Sequence, residues 1–135
     1  MADLAMPHGP SKVTVPTLDH GPITLPEPSW CTGHAAAPAG YRVDICHTGT
    51  ETGLTAESDR GPVAILGSCL TQYPFSALPP GATPFLAVDL GDRWGQFDPD
   101  GLRAFADDLT GYADWLRIRA HQLAAILNSG EAGQA

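Results

Sequence analysis

The sequence predicts an α+β domain: a mostly antiparallel sheet of about five strands packed by one long C-terminal α-helix. Three observations carry this expectation. Up to Phe97 the apolar residues fall in short runs, several of them alternating, and Gly, Pro or Asp closes each run. From Leu102 to Leu127 they recur instead at three- and four-residue spacing, the period of one helix face. The chain has 135 residues, 43% of them hydrophobic, which is the length of one domain and enough to bury roughly two-thirds of its unfolded surface.

Residues 1–11 are polar, proline-bearing and aperiodic, and are expected to form a disordered leader. The domain is expected over 12–128, with a frayed tail over 129–135. Residues 12–17 alternate briefly but contain Pro16, which cannot donate to a ladder and so admits an edge strand at best. His20, Gly21 and Pro22 signal a turn, and residues 23–25 return as a short second strand of a loose hairpin. Residues 41–47 alternate well, placing Tyr41, Val43, Ile45 and His47 on one face of an expected strand. Residues 51–58 read as a weak strand interrupted by Gly53. Residues 63–75 are the best strand candidate, continuously apolar at first, with Gly67 as an expected bulge. Residues 84–90 form another apolar strand, and Gly91 and Asp92 turn it into a return over 93–97.

The last element is a helix. Asp98 fits the N-cap and Pro99 the first helical position. Asp100, Asp107 and Asp108 lie near its start, and Arg117, Arg119 and His121 near its end, an order that complements the helix dipole. About 30 residues at 1.5 Å each make ~45 Å, whereas strands of five or six residues span ~17–20 Å. The distal stripe of Leu116, Ala120, Leu123 and Leu127 therefore calls for a partner, and a homodimer through this helix is expected. The alternative is a helix broken at Gly111 that folds back on one core.

Composition narrows the partners. Seven Lys and Arg stand against 15 Asp and Glu, a net charge of −8, which disfavours a protein that tracks nucleic-acid phosphates. No signal peptide opens the sequence, and no run approaches the ~20 apolar residues of a membrane span. Three cysteines, an odd number without an export signal, point to reduced thiols and a cytoplasmic protein.

Chemistry concentrates between Trp30 and His47. Cys31 and His34 form a Cys-x-Gly-His knuckle, and after nine intervening residues come Asp44, Cys46 and His47. This mixed sulfur, nitrogen and oxygen set suits zinc better than calcium or magnesium, which take all-oxygen shells. On a regular strand Cys46 and His47 point to opposite faces and cannot share an ion. The expected ligands are therefore Cys31, His34 and His47, with Asp44 fourth and Cys46 as its substitute; His20 and Cys69 are outside candidates. Trp30 is read as core. A side chain in the fourth position would make a closed structural site. Water there would make an open Lewis-acid site, with Asp44 or Glu27 as the nearest general base. The sequence contains no His-Glu-x-x-His, Gly-x-Ser-x-Gly or phosphate-binding loop, and no catalytic residue is assigned.

The stretches Pro28 to His34, Asp44 to Gly49 and Asp98 to Leu102 resemble a family of small uncharacterised actinobacterial proteins, over about residues 21–127. That family pairs a Trp-Cys-x-x-His start with an Asp-x-x-His segment ahead of a long Ala-, Arg- and Leu-rich helix. The resemblance implies a ligand pattern on Trp30, Cys31, His34, Asp44 and His47, favours Asp44 over Cys46, and implies no enzymatic activity. The expected function is a zinc-stabilised interaction or regulatory module; the alternative is a small metal-dependent hydrolase.

Overall fold

A computed structural model describes residues 11–35, 38–79 and 81–130. Its elements are β1 (Ser11–Thr17), β2 (Gly21–Glu27), a 3₁₀ turn (Arg42–Asp44), β3 (His47–Thr48), β4 (Thr52–Ser58), β5 (Gly61–Gln72), β6 (Phe85–Asp89), β7 (Trp94–Phe97) and α1 (Pro99–Ser129). The fold is α+β, with antiparallel sheets followed by one long helix. Residues 1–10 of the expected leader and 131–135 of the expected tail lie outside the described residues; Ser11 already belongs to β1. The chain divides into two compact units between Asp98 and Pro99, and each is described by itself.

In the first unit β1 and β2 make a two-stranded sheet of their own, paired from Ser11 opposite Glu27 to Thr17 opposite Gly21. This hairpin is longer than the prolines led us to expect, and the register explains why. Pro16 faces Pro22 and Lys12 faces Pro26. All three prolines share one parity, that of the pairs that exchange no hydrogen bond, so no ladder donor is lost. The other parity carries Val13, Val15, Ile23 and Leu25. These pack with Ile45 and Phe75 into the first core cluster, in which Val15, Leu25 and Ile45 are buried. Leu25→Ala is expected to cost about 2–4 kcal/mol, read from the urea midpoint, because the cavity would sit where both strands meet Ile45.

The second sheet is built on β5. β6 lies along one edge and β7 beyond it. β3 and β4 share the opposite edge, β4 pairing with the first part of β5 and β3 with Thr71 and Gln72. The expected bulge is present: the β4–β5 register shifts between Thr52 and Leu54, opposite Gly67. A Cβ on Gly67 would meet the carboxylate of Glu51, which would have to swing aside. Phe85, Ala87 and Val88 of β6 are buried, and the sheet places His47, the first residue of β3, opposite Gln72.

The alternating strand expected over 41–47 does not form. The backbone N–H of Arg42 donates to Asp19 Oδ1 at 2.9 Å, and Leu18 N–H donates to the Gly40 carbonyl at 2.8 Å. These tertiary bonds hold the segment against the β1–β2 turn, where it closes a 3₁₀ turn and, of Tyr41, Val43 and Ile45, buries only Ile45. Only His47 and Thr48 join the sheet.

The second unit is α1, 31 residues long and continuous through Gly111, so the expected alternative of two shorter helices does not form. Pro99 occupies its first position as expected. Arg103 and Arg117 pair with Asp100 and Asp114 one turn earlier, at 2.8 and 2.9 Å. Gly130, at φ +78°, ends the helix in the left-handed conformation that closes many helices. Among the described residues no helix is long and apolar enough to cross a membrane.

Candidate metal centre

The site begins at the end of β2. Strand alternation that turns Ile23 and Leu25 inward turns Glu27 inward as well. Pro28 then breaks the strand, and Cys31 N–H donates back to the Pro28 carbonyl at 3.0 Å. Gly33, at φ +103°, lets the chain fold so that its own N–H donates to Cys31 Sγ at 3.4 Å while His34 returns to the same side. Thr32 N–H donates to the Thr48 carbonyl at 2.9 Å, which ties this knuckle to β3 and so to His47.

Four side chains converge as a result. One ligand atom from each of Glu27, Cys31, His34 and His47 lies within 4.8 Å of the others, and the group could hold a metal ion. Its centre is His34 Nε2, which lies 3.2 Å from His47 Nδ1, 3.6 Å from Cys31 Sγ and 3.5 Å from Glu27 Oε1. Zinc bonds of about 2.3 Å to sulfur and 2.0–2.2 Å to nitrogen and oxygen give tetrahedral edges of about 3.3–3.6 Å. The three distances fall on or beside those edges.

Hydrogen bonding alone does not satisfy this cluster. His34 Nε2 is within hydrogen-bonding reach of Cys31 Sγ and His47 Nδ1, and either contact can be made with the proton on one side of it. Glu27 Oε1 is buried and accepts no hydrogen bond, although His34 Nε2 lies 3.5 Å from it. A buried carboxylate oxygen left so costs a few kcal/mol and calls for a cation. His47 is 1% exposed, with Trp30 standing edge-on to its ring at 6.4 Å, so the centre is walled on that side. A cleft of about 330 Å³ lined by Leu25, Glu27, Pro28, His47, Pro74 and Phe75 borders the Glu27 and His47 side of the group.

Burial shapes the protonation of these groups. It pushes the Cys31 thiol up from its ordinary value, against the opposing pull of the Gly33 N–H. It holds the His47 imidazole below its ordinary value, and the neighbouring His34 adds to this.

Of the residues singled out from sequence, Cys31, His34 and His47 come together. Asp44 ends the 3₁₀ turn, is exposed, and lies outside the four-residue group; the group's carboxylate is that of Glu27. Cys46 also lies outside it, its thiol turned to the His47 carbonyl at 3.6 Å and raised by burial. Cys69 sits on β5 beside Thr71, and His20 on the β1–β2 turn paired with Asp19. Glu27 was marked in the sequence only as a general base. Its signal was there: it extends the inward-facing series of Ile23 and Leu25 and precedes Cys31 by four residues.

No curated protein and no solved structure matches this chain. A family model does: the model described as a domain of unknown function, DUF6907, matches residues 12–125, from β1 almost to the end of α1, and the chain belongs to that family.

Proposed function

We propose that this chain is a small zinc-stabilised interaction or regulatory module, in which one zinc ion held by Glu27, Cys31, His34 and His47 pins the knuckle to the sheet. The observation that carries this reading is the buried, unbonded Glu27 oxygen facing a thiol and two imidazoles. Sulfur and imidazole together favour zinc over the oxygen-seeking ions. Four protein donors favour a closed structural site over the open Cys/His/His site that a hydrolase would need. Three free cysteines, one of them in the donor set, fit a reducing cytoplasm.

Elemental analysis of the purified protein tests the proposal, with one zinc per chain expected. A metal-free protein that takes up no zinc on reconstitution would refute it. Zinc must also displace the proton that burial keeps on the Cys31 thiol, whereas His47, held below its ordinary 6.5, offers a bare nitrogen at neutral pH. Apparent affinity should therefore rise about tenfold per pH unit through neutrality, one proton leaving per ion bound. Competition with a chromogenic chelator between pH 6 and 8, roughly the window in which the thiol holds its proton, checks this slope.

A further inference from the structure

We propose that α1 pairs with α1 of a second copy of this chain as an antiparallel two-helix coiled coil. Leu102, Leu109, Leu116 and Leu123 recur at strict seven-residue intervals, and Ala106, Ala113, Ala120 and Leu127 each follow four residues later. A 3.5-residue period keeps both rows on one seam of a continuous helix through four heptads, the pattern of a helix that seats against another helix. A second copy of this chain supplies a helix of equal length with the same seam.

Side-chain size selects the orientation. In an antiparallel pair the leucine row of one helix faces the alanine row of the other. With the two-fold axis passing between Asp114 and Trp115, the layers are Ala106 on Leu123, Ala113 on Leu116, Ala120 on Leu109 and Leu127 on Leu102. Three of these four layers set a large side chain against a small one, and the symmetry repeats each layer once. A parallel pair would stack alanine on alanine and leucine on leucine, leaving gaps between layers too wide to close.

Charge points the same way. The N-terminal half of α1 carries Asp100, Asp107, Asp108 and Asp114 against Arg103, while the C-terminal half carries Arg117 and Arg119 and no acid. Antiparallel pairing lays the acidic half beside the basic half; parallel pairing lays like on like.

Size-exclusion chromatography with light scattering on the full, zinc-loaded chain provides the test. The expected mass is twice 14.1 kDa. Leu116→Asp should return the chain to monomer mass with its zinc content and helical circular dichroism kept. Ala113→Leu barely changes helix propensity, so it tests the seam even if Leu116→Asp fails to fold. Facing Leu116 twice across the axis, the added bulk should weaken the dimer about tenfold or more. A monomer at every concentration, or a dimer indifferent to Ala113→Leu, overturns the proposal. A dimer that Ala113→Leu tightens also overturns it, because filling an alanine–alanine layer is what a parallel pair would reward.

Discussion

Stripping the metal with a chelator is expected to lower the melting temperature by about 15 °C, and restoring one equivalent of zinc to return it. A ligand that binds only the folded state adds about 4 kcal/mol when present at a thousand times its dissociation constant. For a chain of this size that corresponds to roughly 4 °C per kcal/mol. The effect is large because the first core cluster is small, with Val15, Leu25 and Ile45 as its buried members. The knuckle between Pro28 and His34 adds hydrogen bonds to this core but little apolar burial. Without the ion, Glu27 keeps a buried oxygen with no hydrogen-bond partner. Differential scanning calorimetry with and without chelator reads the shift. An unchanged melting temperature would mean that the cluster is satisfied without metal.

The second large effect is at Glu27. Glu27→Gln preserves shape but removes the anionic oxygen, and should weaken zinc binding by at least about a hundredfold, since disturbing even the groups behind metal ligands costs 10–100-fold. In metal-free protein the same change should have the opposite sign, stabilising by about 1–2 kcal/mol, because it replaces a buried carboxyl oxygen that accepts no hydrogen bond. A residue that served only the packing of β2 would destabilise both forms alike. Asp44→Asn is the matching control. Asp44 is exposed on the 3₁₀ turn and outside the donor group, so zinc affinity should not change. Calorimetric titration of zinc into the two variants, with urea melts of the metal-free forms, separates these outcomes.

The fold was legible where one physical signal acted alone. β5 and β6 are apolar runs bounded by Gly and Pro, and α1 holds its period for 31 residues, so strand and helix followed from pattern. Where tertiary bonds compete with local preference, pattern misled. Residues 41–47 alternate like a strand, but Asp19, more than twenty residues earlier, captures the Arg42 N–H and bends them into a turn. The same limit applies to the metal centre. Cys31 and His34 are close in sequence, and their spacing announces a knuckle. His47 reaches them because β3 pairs with the far end of β5, a long-range contact that spacing does not encode. Glu27 was obscured because the second strand was expected to stop at residue 25, ahead of Pro26 and Pro28. The register of β1 and β2 shows instead that the strand runs on to Glu27 and turns its side chain inward.

X-ray absorption at the zinc edge, on protein loaded with one equivalent, tests the ligand set most directly. Coordination by Glu27, Cys31, His34 and His47 predicts a four-coordinate shell with one sulfur at about 2.3 Å and three nitrogen or oxygen atoms at about 2.0–2.2 Å, with imidazole multiple scattering from two histidines. Two or more sulfurs would place Cys46 or Cys69 on the metal. A six-coordinate shell of nitrogen and oxygen without sulfur would remove Cys31 from it. Either result would contradict a closed centre built from these four residues.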